Sequence, residues 1–171
     1  MESGTSMLEQ APSRREVGLY FIVDSNVKPA FGLSVGKYVN ALFGSVWNYM
    51  QHQKNNVPWL NLVGIHELEE SMTESLLVNS VEHNMIMEQE RGLLVNHAID
   101  RFHKVYQRKD TTKIPHAYIV LTRHPIYNHE GVQLDAWAKI CAICRYDNYV
   151  FVQSTGYFQE IPVLLRHVLK M

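Results

Sequence analysis

Long apolar runs are missing from this 171-residue chain: none approaches the roughly 18 consecutive apolar residues that cross a bilayer. Charge of one sign is missing too. Lys and Arg number 16 and Asp and Glu 17, leaving a net charge of −1, which removes the electrostatic basis for general nucleic-acid binding. Cysteine is scarce: Cys141 and Cys144 alone cannot build a disulfide framework. No Asn is followed two residues later by Ser or Thr, so no N-glycosylation acceptor speaks for secretion. The amino end, Met1 to Arg15 (MESGTSMLEQAPSRR), has no apolar core of a signal peptide and reads as a flexible lead-in. From the residues alone, the protein is cytosolic or the chain starts inside a longer precursor.

What is present is a globular composition. Hydrophobic residues make up 46%, too many for a disordered chain. The length suits one domain, 16–171, around a single sizeable core. Val17 to Val23 (VGLYFIV) is apolar on both faces, which predicts an inner strand ending at Asp24. Val35, Val39, Leu42, Val46 and Met50 form one helical stripe, with Ser34 as N-cap. Val57 to Ile65 is the second strand, Pro58 standing near its start. The acidic stretch from His66 to Glu90 is harder to read. Leu76 to Val81 fits a strand or a short helix, and Gly92 is an interruption. Val95, Ile99, Phe102 and Tyr106 mark another helix, and His116 to Leu121 another strand. Pro125 to Gly131 reads as a turn, Ala136 to Cys144 as an edge strand and Tyr149 to Val152 as a short strand. Ile161, Leu164, Leu165 and Val168 give a terminal helix with Pro162 in its first turn. Strands alternating with helices predict an α/β fold with a mainly parallel twisted sheet and flanking helices.

The chemical motifs are incomplete. Gly32 to Lys37 (GLSVGK) follows a strand and opens a helix, as a phosphate cradle does. A P-loop, however, needs four residues between its glycines and a hydroxyl residue after the lysine; here there are three, and Tyr38 follows Lys37. A nucleotide hydrolase using Lys37 is therefore the weakest reading. Nine histidines invite a metal hypothesis but are scattered. A zinc helix places two His four apart with Glu after the first. After His66-Glu67 that place holds Glu70, and after His129-Glu130 it holds Gln133. Cys141-Ala-Ile-Cys144 has no second CxxC or spaced His pair, so two buried thiols are expected. No G-x-S-x-G nucleophile turn occurs.

Several pieces, in order, do carry a resemblance. Val17 to Asp24 (VGLYFIVD), Tyr38 to Phe43 (YVNALF), Leu60 to Ile65 (LNLVGI), Ala98 to Tyr106, Pro115 to Thr122 (PHAYIVLT), Ala136 to Cys144 and Gly156-Tyr157-Phe158 resemble the amino-terminal part of a reprolysin-like (adamalysin/ADAM-type) zinc metalloprotease domain. The resemblance covers Val17 to Phe158 and implies a metzincin-like upper subdomain, a zinc cofactor in the family and secretion, with the cytoplasm as the alternative.

The zinc helix is where the likeness stops. The family carries H-E-x-x-H-x-x-G-x-x-H there, whereas this chain reads Ile161 to Met171, IPVLLRHVLKM. Ungapped, Arg166 and Lys170 take the two His positions and His167 the Glu position; two cations repel zinc, and one His cannot hold it. The resemblance thus assigns no catalytic, cofactor or metal residue to this chain and leaves Cys141 and Cys144 without the family's disulfide partner. It implies a truncated or inactive member that binds a protein, with no cofactor of its own. The alternative is a small cytosolic α/β binding module. Without a lower subdomain, Ile161 to Leu169 is expected to expose apolar surface and promote self-association.

Overall fold

A computed structural model describes residues 16–53, 57–79, 91–106, 117–138 and 148–168. The fold is α/β. The first apolar run becomes strand β1 (Glu16–Val23), and Ser34 caps helix α1 (Val35–Gln51). Strand β2 (Trp59–Glu67) leads to helix α2 (Glu70–Leu76), strands β3 (Leu77–Asn79) and β4 (Arg91–Leu94), and helix α3 (Val95–Val105). Then come β5 (Ala117–Thr122), β6 (Ile126–Tyr127), β7 (Gln133–Leu134), β8 (Ala136–Ala138), β9 (Tyr149–Gln153) and helix α4 (Ile161–Val168).

The main sheet has the order β2-β1-β5-β9-β8, parallel except for the antiparallel edge strand β8. Alternation along its strands sorts side chains between two faces. Leu19, Phe21, Val23, Ile119, Leu121, Val150 and Val152 meet Val39, Leu42, Val46 and Met50 of α1 on one face. Ile22, Val120, Tyr149 and Phe151 meet Ala98, Ile99 and Phe102 of α3 on the other. The single core expected from length is therefore two main clusters divided by the sheet, with a small third at Val78, Leu94 and Tyr127, and the division is why the inner strands are apolar on both faces. Tyr20, Tyr106, Tyr118 and Tyr149 form a chain of ring contacts over the second face. Gly64 is required there, because a Cβ would lie 2.6 Å from the Tyr20 ring.

A second sheet, β3-β4-β6-β7, was not expected from the sequence. Pro125 to Gly131 is not all turn, since Ile126 and Tyr127 pair with β4 and β7. Gly92 does not interrupt: it lies inside β4 beneath the Tyr127 ring, which would meet a Cβ at 2.4 Å. Strands of two residues are too short to register a period; β6 is held by β4 from an earlier segment and by β7 across the following turn. Leu76 and Leu77 divide between helix and strand, which resolves the ambiguous stretch into both. β2 runs on through His66 and Glu67 because both pair with the end of β1. The edge strand is seen over Ala136–Ala138; Cys141, Cys144 and the rest of that stretch lie outside the described residues.

The expected bare apolar face on the last helix is corrected. Leu164 is buried, and Ile161, Val163 and Leu165 pack half-buried on the same core as α1. The helix docks on α1 and β9 of its own chain, so the apolar side chains described from Ile161 to Leu165 pack within the chain. Leu169 lies outside the described residues.

The cap on α1 gives a direct test. The Ser34 hydroxyl accepts the Lys37 backbone N–H at 3.2 Å, satisfying one of the helix's orphan donors. Ser34→Ala is expected to lower stability by about 1 kcal/mol in urea unfolding. No change in the midpoint would show that the cap does not hold in solution.

Candidate functional site

In an open α/β sheet, ligands bind beyond the carboxyl ends of the strands, where the strand order reverses. Here the chain leaves β1 towards β2 on one side and later fills β5 on the other, so the reversal lies between β1 and β5. The residues just past these two strands are Asp24 to Asn26 and Arg123 to His124.

Asp24 organises this place. It is 3% exposed. Its Oδ1 accepts the N–H groups of Asn26 and Val27 at 2.9 and 3.0 Å, folding the chain into an Asx turn. Its Oδ2 accepts the Thr122 hydroxyl at 2.5 Å and the Arg123 N–H at 3.0 Å. One carboxylate thus ties together the ends of two neighbouring strands. Ser25 N–H donates to the Thr73 hydroxyl of α2 at 3.0 Å, and the Asn26 side chain lies 2.6 Å from His124 Nε2.

A second polar node lies beneath β9. Glu160 is 1% exposed and accepts the Tyr38 hydroxyl, at 2.6 Å to Oε1 and 2.8 Å to Oε2, and the Ser154 hydroxyl. Burial first, and the Glu160 hydrogen bond second, push the Tyr38 hydroxyl well above the ordinary tyrosine range. It therefore stays a donor. Its oxygen also accepts the Phe158 N–H at 3.0 Å, fixing the segment that leads into α4. Tyr106 and Tyr149 are likewise pushed up, chiefly by burial.

Two loops meet at this end. Ala30 N–H donates to the Gly156 carbonyl at 2.9 Å. Gly156 has φ +85°, and a Cβ on it would lie 2.0 Å from the Lys28 carbonyl oxygen. Among the described residues, Phe31 (φ 60°) and Phe158 (φ 64°) are the non-glycine residues in left-handed backbone. Phe31 and Tyr157 stand in solvent, while Phe158 packs its ring 4.4 Å from that of Tyr38.

The residues singled out from sequence do not converge. His66 is bonded to the Tyr106 hydroxyl across the second face, while Glu67 ends β2 and Glu70 opens α2. His129 and Glu130 form an exposed 3.7 Å pair in a turn. Lys37 is exposed in the first turn of α1, where Ser34 already occupies a helix N–H. On α4, Arg166 is exposed and His167 half-buried, and Lys170 lies outside the described residues. Among the described residues, no three His, Cys, Asp or Glu side chains are placed to hold a metal ion. The donor set on α4, one imidazole beside cations, does not fit a catalytic zinc.

Sequence reasoning noted Asp24 as the end of a strand and missed its four bonds; a lone acid closing an apolar run was the available signal. It missed Glu160 and Tyr38 altogether. They are 122 residues apart, and no local pattern links them.

What the site can do follows from these contacts. Its buried acids are saturated with donors, and the Thr122, Tyr38 and Ser154 hydroxyls are committed to them, so these polar residues hold loops in place; the Ser25 hydroxyl beside Asp24, by contrast, is buried with no hydrogen-bond partner among the described residues. The exposed features are the loops themselves. No protein-family model matches the chain, and the curated proteins contain no match to it.

Proposed function

We propose that the chain is a noncatalytic binding module built on a reprolysin-like peptidase scaffold, the sheet-bearing upper part of that fold. One observation carries the reading: the antiparallel edge strand β8 comes directly before the last parallel strand β9, which passes through Gly156-Tyr157-Phe158 into α4. That is the succession the sequence resemblance calls for. A flavodoxin-like module would instead run 2-1-3-4-5, without an antiparallel edge strand folded in before its last strand. The helix that follows β9 carries Arg166 and His167 where the family has ligands and base, which supports binding in place of hydrolysis.

The test is zinc content by mass spectrometry together with casein cleavage by the purified protein. The expected result is substoichiometric zinc and no chelator-sensitive cleavage. Stoichiometric zinc with cleavage abolished by a chelator would overturn the reading.

A further inference from the structure

We propose that the loops following β1 and β9 form a docking surface for an acidic polypeptide segment bearing apolar side chains, with Phe31 and Tyr157 as anchors. The proposal deepens the binding reading above and rests on it.

Phe31 is 85% exposed and held at φ 60°. Left-handed backbone is unfavourable for a bulky residue, and a ring in water returns nothing to the fold. Strain and exposure together are unexplained by stability. Tyr157 is 67% exposed on the adjoining loop. That loop is fixed on both sides of it: Gly156 is bonded to Ala30 and pressed against Lys28, and Phe158 is bonded to Tyr38 and packs its ring, tilted by 33°, against the Tyr38 ring. Two aromatic rings on immobilised backbone are preorganised, so little entropy is lost when a partner covers them.

Charge selects the partner. Lys28, Lys37 and Arg123 are exposed at this end, and none is in an ion pair among the described residues. Arg123 reaches the Thr155 carbonyl at 3.4 Å, which sets its guanidinium beside the Tyr157 loop. The two carboxylates of these segments, Asp24 and Glu160, are buried and hydrogen-bonded. Among the described residues, exposed acids return at the flanks: Glu67, Glu69 and Glu70 past β2, and Asp135, whose carbonyl accepts the Gln153 N–H at the end of β9. A narrow acidic segment can lie along the basic side alone, whereas a flat anionic membrane would also meet those acids.

The experiment follows a fluorescein-labelled octapeptide of alternating Glu and Leu by anisotropy, with the Lys and Leu analogue and phosphatidylserine vesicles in parallel. The expected result is saturation by the acidic peptide below about 1 mM, abolished by added salt, and no saturation by the basic one. Phe31→Ser with Tyr157→Ser is expected to weaken binding about tenfold or more, as is Arg123→Glu. Phe31→Asn provides a separate readout. Asn accepts left-handed backbone, so Tm is expected to rise while affinity falls; a fall in Tm would mark the ring as structural and overturn the proposal. Failure of the native protein to bind the acidic peptide, equal binding of the basic one, or vesicle binding alone would overturn it too. Peptide binding unchanged in every variant would overturn this surface and leave the binding reading standing. Chelator-sensitive proteolysis would instead overturn that reading.

Discussion

Asp24→Ala is expected to cost about 4 kcal/mol, the sum of several buried donors each losing a partner at about 1–3 kcal/mol, discounted because Asn26 and Arg123 are partly reached by water. The change leaves the Thr122 hydroxyl without its acceptor in a place closed to solvent, and the Val27 N–H with only its long 3.4 Å bond to the backbone carbonyl of residue 24. It also releases the Asx turn that starts the Phe31 loop. Against a typical stability of about 5–15 kcal/mol, that loss is a large fraction and corresponds to roughly 8–16 °C in Tm for a domain of this size. Urea unfolding followed by circular dichroism measures it. Asp24→Asn separates the causes. An amide keeps one acceptor oxygen and turns an NH2 towards the other pair of donors, so it is expected to restore about half the loss. A loss below about 1 kcal/mol for the Ala variant would show that water replaces the carboxylate.

The second large effect is expected at Gly156. An Ala there must adopt φ +85° and place its Cβ 2.0 Å from the Lys28 carbonyl oxygen and 2.7 Å from its carbon. Both atoms belong to the backbone, so no side-chain rotation relieves the overlap. The two loops must part, and the Ala30 N–H to Gly156 bond breaks with them. Strain of about 1–3 kcal/mol at the left-handed position and about 1 kcal/mol for the bond combine to roughly 3 kcal/mol. Equilibrium unfolding gives the total, and hydrogen exchange at the Ala30 amide locates it. Accelerated exchange at Ala30 is expected; native-like protection there with unchanged stability would refute the close approach of the loops.

Much of the frame was legible because it rests on local periodicity. A strand buried on both faces must be apolar without alternation, as Val17–Val23 is, and a helix against a sheet must carry a stripe such as Val39, Leu42, Val46 and Met50. Ser34 announced the start of α1 through its own side chain. The second sheet was illegible for the opposite reason. Ile126–Tyr127 is a strand because it pairs with β4 on one side and with Gln133–Leu134 on the other, and a pair of residues has no period. The packing of the last helix was misread because its stripe says that it buries a face, not against which surface.

The candidate site divides in the same way. Motif spacing argued against a P-loop at Gly32–Lys37 and a zinc pair at His66–Glu70; in the fold Lys37 lies in the first turn of α1, His66 is bonded to Tyr106, and Glu70 opens α2. Motif spacing could not disclose the node joining Tyr38, Ser154 and Glu160, nor the contact between the Lys28 and Gly156 backbones. By itself the sequence determined the α/β class, the inner strand and the helix faces, because burial periodicity is written within a few neighbouring residues. Only the tertiary structure decided which acids are saturated and which aromatics stand in water. Hydrogen bonds and solvent exposure depend on partners as far as 122 residues away, and chain folding alone brings those together.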